Sequence, residues 1–430
     1  MRRFRVLVRY IPLFSLLPLL TISCGGSGGG GSSSSNPSSP DSPSTEVTMT
    51  GSFSGGTHAE AGMLKRVLAL FTPRAYALNP SAVSRVLVFC AQTHAYQTAN
   101  VVNNTFSIKL ERGNPVGLIF LGSSNQFLGY LTLQNGIESL PVKRIKSNVA
   151  TVDLGTLSSS GQIVEPGHNP VGDEIPLTDD ERDALAQFGS LFHSIVKNPD
   201  VDGNGVIDFL EGKTYFMELI YNLRGGAFSG NSTPTVNTLL ERYQICTFSS
   251  SSNCPNSVTM TGPMGSILEQ PTTMNIYPVG SYCTHRYLSP ISSGNDLDPP
   301  MQGDYRVEYP NETLTFQIPN QVHILTKAIA IVPTVTLDSN GKILKISWSY
   351  RPADGSNKNL NPDQLITQIQ ITLADLQFSA NGLYNSQLIT STNTTEIDLS
   401  SEGLYWNQVG CVNTSYHDVY GNGYTFKWEK

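Results

Sequence analysis

The stretch Asp200-Val201-Asp202-Gly203-Asn204-Gly205-Val206-Ile207-Asp208-Phe209-Leu210-Glu211 places oxygen-bearing side chains at alternate positions and closes on a glutamate. Oxygen donors set two residues apart can converge on one hard cation. Calcium, which takes roughly six to eight oxygens in a flexible geometry, is the ion that suits them. Gly205 supplies the backbone freedom that a sharp chelating turn requires.

The stretch resembles an EF-hand loop at every defining position. The resemblance implies side-chain ligands from Asp200, Asp202 and Asn204, a carbonyl ligand from Val206, a water-mediated contact from Asp208 and two oxygens from Glu211. It also implies that Ile207 packs inward. Exported calcium modules of this kind bind weakly, on the order of 10⁻⁴ to 10⁻³ M, which favours a structural staple over a signalling switch.

Helices are expected on both sides of the loop. Thr178 and Glu181 form a capping box, and Asp179 and Asp180 favour a helix N-terminus. Leu185, Phe188, Leu191, Phe192, Ile195 and Val196 then recur at helical spacing. A second helix is expected from about Phe209, with Phe216, Met217, Ile220 and Leu223 on its inner side and Gly225-Gly226 ending it. Residues 175–226 thus read as a helix-loop-helix. Pro199 biases Asn198 away from helix, so the unit is closer to a dockerin-like or lone EF-like loop than to a paired sensor hand.

Strand patterns surround this unit. Residues 46–157 hold short β-branched or aromatic runs at Val47 to Gly51, Ser84 to Cys90, Thr105 to Leu110, Gly117 to Leu121, Phe127 to Leu133 and Ala150 to Leu154. Their order, the hairpin Asn103-Asn104-Thr105-Phe106-Ser107-Ile108-Lys109-Leu110 and the close Val152-Asp153-Leu154-Gly155 resemble a transthyretin-like, carboxypeptidase-regulatory-like module. Such modules fold or bind without catalysing. Residues 57–79 look like an insertion, with one short helix at Met63 to Leu70. A β module is expected over 257–327 and another over 328–430. The latter resembles an immunoglobulin or fibronectin-type sandwich in its Pro-containing first strand (Val332-Pro333-Thr334-Val335), central Trp348 and terminal strand. Ser339-Asn340-Gly341-Lys342 signals a hairpin within it. The expected fold class is mainly β and multidomain, with β-sandwich modules flanking a small α helix-loop-helix.

The N-terminus carries Arg2, Arg3, Arg5 and Arg9, then an apolar stretch from Tyr10 to Ile22. That stretch falls short of the roughly 20 residues a spanning helix needs, and Pro12 and Pro18 weaken it further. Residues 1–23 therefore read as a signal peptide. Leu20-Thr21-Ile22-Ser23-Cys24 resembles the lipobox of bacterial lipoproteins, which implies lipid on Cys24 and a membrane as partner. Residues 24–45 are nearly all Gly, Ser and Pro, a tether spanning on the order of 25 Å. Gly25 after the cysteine is compatible with the outer membrane, so the expected location is the cell envelope of a bacterium.

Removing the signal takes four of the 27 basic residues and none of the 34 acids, leaving a net charge of about −11. Such a chain has no electrostatic footprint for nucleic acid. Beyond Cys24 there are five cysteines. The expected pairings are Cys246 with Cys254 across a polar loop, and Cys283 with Cys411 over a long range, leaving Cys90 a buried thiol. Cys283, His285, Cys411 and His417 do not have the usual spacing of a zinc site. The carboxylate pairs Asp173-Glu174 and Asp296-Leu297-Asp298 read as solvated loop charges. Beyond the Gly/Ser tether, no nucleophile-elbow, zinc-protease, P-loop or dinucleotide pattern occurs. The expected function is a non-enzymatic envelope lipoprotein that binds calcium structurally and presents β modules to a protein or glycan. A polysaccharide hydrolase and a spacer subunit remain the alternatives.

Overall fold

The computed structural model describes residues 45–54, 82–90, 95–188, 199–200, 204–211, 215–249, 255–279, 282–292, 297–310, 313–318, 328–376 and 383–430. These residues are mainly β and build three sheets, with short helices only. The expected insertion at 57–79 lies wholly outside them.

The first sheet comprises β1 (Glu46–Phe53), β2 (Arg85–Cys90), β3 (Ala95–Asn100), β4 (Thr105–Glu111), β5 (Gly117–Leu121), β6 (Phe127–Leu131), β7 (Thr151–Ser160) and β8 (Ile163–Glu165), in the order β3-β2-β5-β6-β8-β7-β1-β4. Its two edge strands follow each other in the chain through Asn103 and Asn104, both at positive φ, as a type I′ turn requires. The Gln97 Nε2 donates to the Lys109 carbonyl at 2.7 Å, so β3 and β4 draw together and the sheet becomes barrel-like.

In β4, Phe106, Ile108 and Leu110 are buried while their neighbours face solvent, the period-two pattern of a strand with one wet face. β2 and β5 differ, because every residue of β5 and all but Arg85 of β2 are buried. Val86, Val88, Leu118 and Phe120 fill the interior of the first sheet. Leu87, Phe89, Ile119 and Leu121 form a second apolar layer with Ile207, Phe209, Cys246 and Phe248. A side chain fully buried in this way contributes about 1.5–3 kcal/mol, so this layer is a substantial joint.

Helix α1 (Asp179–Phe188) begins as its capping residues dictate. The Thr178 N–H donates to Glu181 Oε2 at 2.8 Å and the Glu181 N–H donates to Thr178 Oγ1 at 3.3 Å. Arg144, itself buried, clamps both Glu181 oxygens at 2.9 and 3.0 Å. The expected continuation of α1 through Val196 lies outside the described residues.

The second sheet comprises β9 (Tyr215–Ala227), β10 (Leu239–Ser249), β11 (Ser257–Thr261), β12 (Thr272–Val279), β13 (Tyr282–Leu288), β14 (Gly303–Glu308), β15 (Thr313–Ile318), β18 (Ile366–Asp375), β19 (Tyr384–Asn385), β21 (Val409–Asp418) and β22 (Gly423–Glu429). Their order is β15-β14-β11-β12-β13-β10-β9-β22-β21-β18-β19. The C-terminal strand β22 runs parallel to β9 and beside it. The third sheet is β16 (Ile329–Leu337), β17 (Ile343–Pro352) and β20 (Glu396–Asp398). β16 lies at its edge, where Pro333 costs no ladder bond to a further neighbour. The Asp338–Lys342 hairpin and Trp348 fall where the sequence places them.

The second helix expected from Phe209 does not form. Asp208–Glu211 is a short 3-10 turn, and the chain then enters β9. Met217, Leu219, Tyr221 and Leu223 are buried at strand period, and the helical spacing of Phe216, Met217, Ile220 and Leu223 is the coincidence of two overlapping patterns. Strand pairing on both sides, with β10 and β22, decides the outcome. Gly225 does not end a helix. A Cβ there would stand 2.5 Å from the Trp428 ring, so glycine lets that indole lie flat on β9.

Candidate calcium loop

The loop is built from a carboxylate that gathers backbone donors. Asp200 accepts the Asn204 N–H on Oδ1 at 3.1 Å and the Gly205 N–H on Oδ2 at 2.8 Å. Gly205 sits at φ +87° with open space around its missing Cβ, so its backbone angle rather than crowding demands glycine. The Asn204 Oδ1 accepts the Val206 N–H at 2.8 Å, and its Nδ2 donates to Glu211 Oε1 at 2.8 Å. The first, middle and last oxygen-bearing residues of the motif are therefore linked directly.

The next turn anchors the loop. The Asp208 N–H donates to the Pro199 carbonyl and the Leu210 N–H to the Ile207 carbonyl. Ile207 is fully buried, and Phe209 lies 5.2 Å from Phe89 and 5.9 Å from Tyr96, ring centroid to centroid. Asn204 and Glu211 remain exposed at the open end. One side of the loop is thus held between the first sheet and β10, while the other offers oxygens to solvent.

Asp200, Asn204 and Glu211 carry the oxygen donor types of the motif and are joined by hydrogen bonds, and Asn204 positions Val206. Asp208 is buried beside Ile207 and Phe209, and Asp202 lies outside the described residues. Among the described residues, the carboxylates of Asp200, Asp208 and Glu211 do not converge within 4.8 Å of one another, whereas His168, Asp173 and Glu174 do. Bound, calcium would replace the Asn204 amide as the partner of Glu211.

The cysteines correct the sequence reading. Cys90, Cys246 and Cys411 are buried thiols, and Cys283 is disulfide-bonded. Cys246 is not paired with Cys254, because its side chain belongs to the apolar layer against Leu87 and Phe89. Burial pushes its thiol up to about 12 and that of Cys411 up to about 11. A Cys283–Cys411 bond is ruled out by topology. β13 and β21 are four strand spacings apart, about 19 Å, against the roughly 4.4–6.8 Å between Cα atoms that a disulfide spans. Cys24 lies outside the described residues.

A polar group that sequence reading left scattered meets where β9, β18, β21 and β22 adjoin. His417 Nε2 is 2.6 Å from Glu218 Oε1, and its Nδ1 is 3.2 Å from Gln368 Nε2. Burial opposes charge on His417, but the Glu218 hydrogen bond and the adjacent carboxylates win and raise its pKa. Both ring nitrogens are engaged, so this imidazole is a structural tie. His285 is likewise committed, with Nε2 at 2.8 Å from the Pro255 carbonyl. Only three-dimensional pairing across strands could reveal these partners.

No family model matches the chain, and no curated protein does. A DUF3823 family protein from Bacteroides ovatus aligns at 11% identity over 64% of this chain and 97% of its own, with a TM-score of 0.14. The ligand-free form of a PulA mutant from Klebsiella pneumoniae aligns at 8% identity over 89% of this chain and 30% of its own, again with a TM-score of 0.14. Superpositions this loose carry no argument, and the chain stands as a mainly β protein without a family assignment.

Proposed function

We propose that this chain is a non-enzymatic lipoprotein of the bacterial cell envelope, held by lipid on Cys24 and stapled by calcium at residues 200–211, and that its β modules face a protein or glycan partner. The observation that carries the calcium reading is the double capture of the Asn204 and Gly205 N–H groups by Asp200, with Asn204 joined to Glu211. Four elements of the EF-hand resemblance meet in that geometry. Ile207 and Phe209 tie the loop into the layer between two sheets, so an ion bound at its open end stabilises the joint rather than switching a helix.

The basic n-region, the lipobox-like Leu20 to Cys24 and the Gly/Ser/Pro tether support the anchored reading. The regulatory-like resemblance of residues 46–157 supports binding over turnover. Two arms test the proposal. Cys24→Ser should move the chain from the membrane pellet to the soluble fraction, and an unchanged pellet would remove the lipid anchor. The full chain, in detergent, should retain the same envelope protein or glycan in repeated pull-downs. Turnover of a polysaccharide, abolished by a single point change, would instead establish the hydrolase.

A further inference from the structure

Beyond the calcium loop, three potential metal ligands stand together after β8. His168 Nε2 lies 2.9 Å from Glu174 Oε1, and a ligand atom of Asp173 lies within 4.8 Å of both. We propose that His168, Asp173 and Glu174 form a second, independent metal site that takes a borderline divalent cation such as zinc.

The backbone sets these groups before any ion arrives. The His168 N–H donates to the Leu154 carbonyl at 2.9 Å. Gly167 is pressed so closely on β7 that a Cβ would stand 2.5 Å from the Thr156 carbonyl oxygen. Gly155 meets the same loop at φ +66°. On the other side, Glu174 and Ile175 both donate their N–H groups to the Pro170 carbonyl, and the Glu174 carbonyl accepts from Lys146. The Asn169 side chain caps the Val171 N–H between them. Main-chain bonds therefore fix the His168 arm to β7 and the Glu174 arm to Pro170 and Lys146, which limits the reorganisation that binding requires.

The donor set selects the ion. Imidazole nitrogen suits zinc, nickel and copper, while calcium prefers oxygen alone. Zinc bonds nitrogen and carboxylate oxygen at about 2.0–2.2 Å, so two ligands on one ion stand about 3 Å apart, the separation of His168 and Glu174. The second Glu174 oxygen is buried without a hydrogen-bond partner. The His168 side chain is 42% exposed and Asp173 is exposed, which leaves coordination positions open to water. The neighbouring carboxylates of Glu174 and Asp173 supply negative charge that favours a cation.

The test titrates zinc into the full detergent-solubilised chain against a chromophoric chelator, with millimolar calcium present throughout to occupy the loop at 200–211. Wild type should hold one zinc that His168→Ala does not. Glu174→Gln, which keeps the side-chain shape, should weaken it by at least the roughly tenfold that loss of an outer-shell partner costs. Zinc should raise the melting temperature of wild type and not of His168→Ala, while their metal-free melting temperatures agree within a few degrees. Should His168→Ala fold poorly, the Glu174→Gln titration decides alone. Equal zinc affinity and stoichiometry in wild type and the variants, or no zinc on wild type, would overturn the site and leave His168 and Glu174 a surface ion pair. Glu211→Gln should leave zinc binding intact, so failure here is separable from failure of the calcium reading.

Discussion

Asp200 and Asp418 each gather two backbone N–H groups from the residues that follow them, and they serve different ends. Asp200 accepts the N–H groups of Asn204 and Gly205, and Asp418 accepts those of Tyr420 and Asn422 at 2.9 Å each, with Gly421 at positive φ completing the turn. Around Asp418 stand Tyr416, Tyr424 and Tyr221, whose rings stack at 4.7 and 5.6 Å. Burial there pushes its carboxyl up to about 6. Asp200 is bonded to Asn204, whose side-chain amide in turn holds the exposed Glu211 at the solvent end of the loop. A turn-forming aspartate becomes a candidate ion ligand when its neighbours bring more oxygen, and a structural group when they bring rings.

The sharpest break of this contrast comes from the apolar side of the calcium loop. Phe209→Ala should cost about 3–5 kcal/mol in denaturant unfolding, because it empties the layer between Phe89 and β10. A loss below about 1 kcal/mol would mean that the loop is not anchored there.

At Asp418 the turn and the charge can be separated. Asparagine keeps an oxygen for the two buried N–H groups, and alanine does not. Asp418→Ala should therefore be less stable than Asp418→Asn by about 2–3 kcal/mol in thermal unfolding at one pH. Equal stability would show that the turn does not depend on this acceptor.

The raised pKa of Asp418 has a sign that can be checked. Its proton is held more tightly in the folded state, so the associated stability is complete below about 3.8 and is lost as pH rises through about 6. Wild type should lose on the order of 2 kcal/mol relative to Asp418→Asn over that window. His417, also raised, continues the loss above 6.5. Parallel pH profiles of the two proteins would contradict the buried charge.

Much of the first sheet is legible in the sequence because its strands are local and bounded by Asn and Gly turns. β5 is read at its observed ends, and the capping box of α1 is read atom for atom. β9 is misread because Phe216 to Leu223 satisfies helix and strand periods together, and only its partners β10 and β22 break the tie. Disulfide partners fail for the same reason. Nothing local records that Cys246 faces Leu87 or that four strand spacings separate Cys283 from Cys411. The 200–211 motif is legible because its oxygen-bearing residues lie within one short stretch. The His168 group is only half visible, since Asp173-Glu174 reads as a solvated pair until β7 and Gly155 bring His168 beside it.

Thermal unfolding of the full chain in chelator and in millimolar calcium, for wild type and Glu211→Gln, tests the central claim most directly. Glutamine keeps the acceptor for the Asn204 amide, so the two proteins should melt together in chelator. Calcium should then stabilise wild type by about 1–2 kcal/mol, a shift of a few degrees, and leave Glu211→Gln nearly unmoved. Equal stabilisation of both proteins, or none of wild type, would contradict a calcium site at residues 200–211.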